Sequence, residues 1–156
     1  MYRLLAHPEY IEPLHQEVDA VIREEGWTKA GIDMMHKIDS FLRETQRVDG
    51  ISIRSLYSLP RVKNADVRHA SPVPLTRLAL RPFTFSNGVT IPTGTLVSIP
   101  GSAAHRDEAN YHDPDTFDGF RFVKLRESEG DTPTSRYQTV SPSSENLTFG
   151  LGRRTW

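Results

Sequence analysis

Between Glu9 and Glu25 the apolar positions Ile11, Leu14, Val18, Val21 and Ile22 follow one another at spacings of three, four, three and one. That rhythm is one stripe of a helix. Pro13 lacks a backbone donor, so the helix is expected to start near Pro8-Glu9, with Pro13 close to its first turn, and to stop at Gly26. A second helix is predicted from about Asp33 to Arg47. Met34, Met35, Ile38, Phe41 and Leu42 form its apolar stripe, Asp33 is the expected cap, and Asp49-Gly50 closes it.

The pattern then changes period. Leu78 to Phe85 and Val89 to Ile99 are rich in β-branched and aromatic residues and are joined at Asn87-Gly88, a strong two-residue hairpin signal. Arg54 to Leu75 has no period of two or 3.6 and reads as a loop, long for a compact domain. His105 to Tyr111 is expected to make one or two helical turns before Asp113-Pro114, and Glu127 to Asn146 reads as polar loop. The residues therefore predict an α+β chain, mainly helical, with two helices followed by a small sheet.

Composition narrows the chemistry. Nineteen Lys plus Arg against 20 Asp plus Glu give a net charge of -1, which offers no electrostatic reason for a nucleic-acid or anionic-membrane partner. No run of about 18 apolar residues is present to span a bilayer, and Met1 is not followed by a signal-peptide core. There is no cysteine among the 156 residues, so disulfides, thiolate catalysis and thiolate metal ligation are excluded for the chain as written.

Three constellations carry candidate chemistry. In Glu44-Thr45-Gln46-Arg47 a carboxylate and a guanidinium stand at i and i+3. At roughly 100° per residue Arg47 points away from Ile38, so local geometry alone reads them as a solvated surface pair. The second constellation is His105-Arg106-Asp107 followed by Asp113-Pro114-Asp115-Thr116-Phe117-Asp118-Gly119-Phe120-Arg121-Phe122, which reads locally as a turn and a loop anchored by aromatics. The third is Phe149-Gly150-Leu151-Gly152-Arg153-Arg154-Thr155-Trp156, whose glycines permit a sharp turn or close approach to a flat ligand. It completes no GxGxxG and is followed by no helix, so it is a poor nucleotide loop.

Their order and separation together resemble the cytochrome P450 family, in its fungal form. ETQR matches the ExxR motif, and FDGFRF resembles the meander motif, in which Arg121 would complete a structural ion cluster with Glu44 and Arg47. FGLGRRT matches the start of the haem-binding loop at Phe149, Gly152 and Arg154. HPEYIEPLHQEV and TFSNGVTIPTGTLVSIP are similar to the segment before the ExxR helix and to the hairpin beside the substrate pocket. The resemblance implies a partial P450 fold of two helices, a hairpin and a meander, with the Glu44-Arg47 pair buried rather than solvated. It implies a haem cofactor, an NADPH-dependent reductase as partner, and oxygen insertion into a lipophilic small molecule such as a secondary metabolite. Members of the family are typically anchored to the endoplasmic-reticulum membrane.

Two departures qualify these expectations. The family's cysteine thiolate, which ligates the haem iron, belongs at position 156, where this chain has Trp156. An indole N–H is a donor only and has no lone pair suited to iron. No catalytic residue is nominated. By resemblance, the anchor, most substrate-recognition loops and the oxygen-activating helix would precede Met1, so the expectation is a fragment, inactive as written. The alternative is a non-catalytic remnant or a haem-independent binding module. The other departure is Tyr57 to Leu75, which intervenes where the family runs almost directly from ExxR into the strand that RLALRPF resembles, and reads as a non-native insertion.

Overall fold

The computed structural model describes residues 2–49, 74–129 and 136–150. The architecture is α+β and mainly helical. Helix α1 (Tyr2–Ala6) leads through a single 3₁₀ turn (Pro8–Tyr10) into α2 (Ile11–Glu25). Pro13 is the third residue of α2, where a backbone N–H would have no intrahelical partner to lose. Gly26 ends the helix with φ +65°, a conformation that costs glycine little, and its N–H reaches the Ile22 carbonyl at 3.0 Å.

The second predicted helix is present, and a short helix that the sequence reading did not anticipate precedes it. Helix α3 (Lys29–Asp33) is capped by Thr28, whose hydroxyl accepts from Gly31 N–H at 3.1 Å, and α4 (His36–Asp49) starts three residues later than expected. Asp33 therefore closes α3 instead of capping α4. The free first-turn amides of α4 go to a distant carboxylate: Glu17, on α2, accepts from Lys37 N–H at 2.8 Å and from Ile38 N–H at 3.0 Å. A capping group twenty residues away leaves no local signature.

Strands β1 (Pro74–Leu78), β2 (Phe83–Thr84), β3 (Thr90–Ile91) and β4 (Leu96–Pro100) form two antiparallel ladders, β1 with β4 and β2 with β3. Leu78 faces Leu96 and Phe83 faces Ile91, so the ladders share one register and make a single long hairpin. The break falls where that register sets Pro82 opposite Pro92, two residues without the N–H that a ladder needs. The turn is at Asn87-Gly88, but it has three residues, not two. Phe85 N–H donates to Val89 at 2.9 Å across Ser86-Asn87-Gly88, and Gly88 takes φ +85°.

Helix α5 (Gly101–His105) ends where a helical turn was expected to begin, and Asp107 to Tyr111 forms only hydrogen-bonded turns. Helix α6 (Arg121–Glu129) occupies a stretch read as loop. Its only strongly apolar positions, Phe122, Val123 and Leu125, are too few to show a period. Phe122 nevertheless anchors the core, packing on Tyr111 and Tyr137 with Leu125 beside them. Pro74 and Leu75, read as the end of a loop, lie in β1. The rest of the proposed insertion, residues 57–73, lies outside the described residues.

Helix α4 packs against α2, α5 and α6. Met35 and Phe41 of its predicted stripe are buried, while Met34 and Leu42 are about half exposed. Its most deeply buried face is the polar one. Ser40, Arg43, Glu44 and Arg47 are all buried, lying within roughly 100° of helix surface at 100° per residue. Ser40 supplies the first tie, its hydroxyl donating to Gly119 O at 2.9 Å and accepting from Phe122 N–H at 3.1 Å.

Candidate functional site

The site grows from the buried polar face of α4. Glu44 is fully buried and accepts four hydrogen bonds. Its Oε2 takes Arg47 Nε at 2.8 Å, and its Oε1 takes Arg47 Nη2 at 2.8 Å, Arg121 Nε at 3.2 Å and the backbone N–H of Asp118 at 3.1 Å. Helix α6 brings Arg121, its first residue, across 77 positions of sequence. One carboxylate thus sits between two guanidinium groups.

The arginines spend their remaining donors on backbone carbonyls of the loop between α5 and α6. Arg47 Nη1 donates to His105 O at 2.6 Å and Pro114 O at 2.7 Å, and Arg121 Nη2 to Thr116 O at 2.8 Å and Asp113 O at 3.2 Å. Arg121 Nη1 donates to His112 O. Asp113 adopts φ +46°, the left-handed region that Asp tolerates better than most residues, and this bend turns neighbouring carbonyls inward. A buried charge is tolerable only when its hydrogen-bonding capacity is met, and here both cations and the anion are satisfied together. The solvated pair that local geometry predicts is therefore corrected: helical position alone did not reveal what packs on that face.

The same face of α4 carries a second set of ties that sequence reasoning missed. Arg43 Nη1 donates to the carbonyls of Arg136 at 2.8 Å and Gln138 at 2.5 Å, with its guanidinium 4.5 Å from the centre of the Phe122 ring. Burial pulls the Arg43 pKa below its ordinary value. Asp39 accepts from Arg126 at 2.6 Å and from Thr139 N–H at 3.0 Å. The available signal was the recurrence of polar residues at 39, 40, 43, 44 and 47, one helical face, which is ordinarily the solvent face.

His105 is the other residue whose role was not read from the sequence. It is wholly buried, and its Nε2 accepts from Leu147 N–H at 3.1 Å. Burial is the largest cause, a backbone hydrogen bond with Arg47 opposes it and the charges of Arg47 and Arg43 add to it; together they lower its pKa to about 4, so the ring is neutral at physiological pH with its proton on Nδ1. That Nδ1 has no partner among the described residues. Leu147 begins the approach to the third constellation. Phe149 is half-buried, Gly150 takes φ +88° and bonds back to Leu147 O at 3.1 Å, while Gly152, Arg154 and Trp156 lie outside the described residues.

The sequence profile of the family described as Cytochrome P450 matches residues 67–155, more than half of the chain. The chain belongs to the cytochrome P450 family. Among its curated relatives, Cytochrome P450 monooxygenase 151 of Postia placenta is 40% identical over 153 residues, covering 98% of this chain and 27% of that protein. Cytochrome P450 monooxygenase janQ of Penicillium janthinellum is 38% identical over 99% of this chain and 27% of its own length. Cytochrome P450 monooxygenase ltmQ of Epichloe festucae var. lolii is 36% identical over 98% of this chain and 25% of its own length. The chain spans about a quarter of the length of the curated relatives it matches.

Membership of the P450 family implies haem. The donors present do not fit a thiolate-ligated haem. The chain contains no cysteine, and among the described residues no three His, Asp or Glu side chains gather into a metal-holding group. No helix among the described residues is long and apolar enough to cross a membrane.

Proposed function

We propose that this chain is the portion of a fungal-type P450 monooxygenase that carries the ExxR helix, the meander and the start of the haem loop, and that its work is structural. The parent activity is haem-dependent insertion of one oxygen atom from dioxygen into a lipophilic small molecule, in secondary metabolism, with electrons from an NADPH-dependent reductase. The observation that carries the reading is the buried cluster in which Glu44 joins Arg47 to Arg121 and the two arginines hold five carbonyls of the intervening loop. Its role is to lock the meander onto α4. Phe149, Gly152 and Arg154 are the haem-loop residues of this reading, with Arg154 the cation proposed for a propionate.

As written, the chain should not oxidise a substrate, because Trp156 stands where the thiolate is needed. That same residue favours a second reading, a non-catalytic remnant or a haem-independent binding module. Tyr57 to Leu75 is proposed as an insertion foreign to the fold. Since Pro74 and Leu75 belong to β1, a deletion that tests this should remove 57–73.

The experiment is reconstitution with haem followed by the absorption spectrum of the reduced, carbon monoxide-bound form. The chain and its Trp156→Cys variant are compared, alone and fused behind the amino-terminal part of a related monooxygenase. A red-shifted, thiolate-type Soret band and turnover are expected only when both the cysteine and the amino-terminal part are supplied. Such a band from the chain itself would overturn the claim of inactivity. A cysteine-restored fusion that never takes up haem would overturn the monooxygenase reading and favour the remnant or module.

A further inference from the structure

We propose that His105 is a positioning residue, a buried strut that sets the position of the segment from Leu147 to Gly150 relative to the Glu44-Arg47-Arg121 cluster. The proposal rests on reading residues 149–154 as the haem loop. Both ends of the strut are defined by hydrogen bonds. At the backbone end, the His105 carbonyl accepts from Arg47 Nη1 at 2.6 Å, the same guanidinium that grips Glu44. At the side-chain end, Nε2 accepts the Leu147 N–H at 3.1 Å, 42 positions away. A single residue therefore spans the distance between the cluster and the strand of backbone that leads to the third motif.

The bond constrains the imidazole to one tautomer. Nε2 must carry the lone pair, so Nδ1 carries the proton, and protonating Nε2 would set two donors against each other. The surroundings oppose that protonation. Arg43 and Arg47 approach from α4, Tyr111 lies in the loop that Arg47 also contacts, and the ring is fully buried, which penalises a charge. Beyond Leu147, Thr148 donates its hydroxyl and its N–H to Asn146 Oδ1 at 2.6 and 3.3 Å, and Gly150 closes back on Leu147 O. The Leu147 amide is thus one point at which this turn is tied to the rest of the molecule, beside the Glu145 carbonyl, which accepts from the Tyr111 hydroxyl at 3.1 Å.

The test is amide hydrogen exchange by NMR on the full chain, comparing the wild type with His105→Gln and His105→Phe. Gln can present an acceptor where Nε2 stands, whereas Phe fills the space and presents none. Expected at pH 7 is a fall of about tenfold in Leu147 protection for His105→Phe, the loss of one buried hydrogen bond, with protection kept in His105→Gln. The Asp118 amide, held by Glu44, should stay protected in all three. Lowering the pH through 4 should release Leu147 in the wild type and not in His105→Gln, a readout that stands even if the Phe variant fails to fold. Unchanged Leu147 protection in His105→Phe, or equal losses in both variants, would overturn the strut. Because exchange is measured without haem, a strut that passes while the cysteine-restored fusion takes up no haem sinks only the haem-loop reading, and the opposite pair of results sinks only the strut.

Discussion

Replacing Glu44 by Ala removes one carboxylate and leaves two buried cations, with Arg47 only 2% and Arg121 9% exposed. The four hydrogen bonds lost are not the main cost. Arg47 keeps the His105 and Pro114 carbonyls and Arg121 keeps Thr116 and Asp113, so most donors stay satisfied. What disappears is the only countercharge within the cluster, and breaking a buried pair in this way costs about 3–5 kcal/mol. A solvated pair at i and i+3 would be worth about 0.3–0.5 kcal/mol, roughly a tenth of that. The gap between the two figures makes the experiment decisive.

The assay is urea unfolding followed by far-UV circular dichroism, since Trp27 is three-quarters exposed and reports poorly on the core. Against a typical domain stability of about 5–15 kcal/mol the loss would be a large fraction of the total, visible as a lower midpoint at unchanged slope. Glu44→Gln keeps the shape but turns an NH₂ toward guanidinium donors, so it should fall nearer to Ala than to the wild type. Breaking the exposed Lys29-Asp33 pair, of the same 2.8 Å length, should leave the midpoint unchanged. A Glu44→Ala cost under about 1 kcal/mol would refute the claim that burial governs this cluster.

Gly119→Ala should cost about 1–3 kcal/mol, because a Cβ there would stand 2.7 Å from Phe41 Cδ2 and 2.8 Å from Tyr10 Cε1; an unchanged urea midpoint would show that those rings give way freely. His105 adds a pH dependence: its folded pKa of about 4 lies below the ordinary 6.5, so the unfolded chain binds the extra proton first as pH falls. Stability should be full above pH 6.5 and decline by up to about 3 kcal/mol on approach to pH 4, a slope that His105→Gln removes and that urea midpoints across this range would measure. Deleting residues 57–73 should leave soluble expression intact, and loss of the folded chain would end the insertion hypothesis.

Features with local causes were legible in the sequence. The α2 stripe, its stop at Gly26 and the turn at Asn87-Gly88 follow from side-chain spacing and from glycine's freedom at positive φ. The family, and with it the convergence of Arg47 and Arg121 on Glu44, was legible from three short motifs in the right order, not from any physical property of those residues taken singly. Misplaced features had distant partners. The start of α4 depends on Glu17 across twenty residues, α6 holds together around Phe122 and the carboxylates of α4, and the ladder break needs Pro82 and Pro92 to be set opposite each other by register.

The deepest divergence is the polar face of α4. Residue type and helical angle assign Ser40, Arg43, Glu44 and Arg47 to solvent, and the tertiary structure buries all four. Sequence determined which hydrogen-bonding groups the helix offers. Only the folded chain decided that carbonyls of residues 105, 112–114, 116, 136 and 138 would converge there to meet them. A buried charge is stable only when all its partners arrive together, and partners as much as 95 positions apart leave no trace in a local pattern.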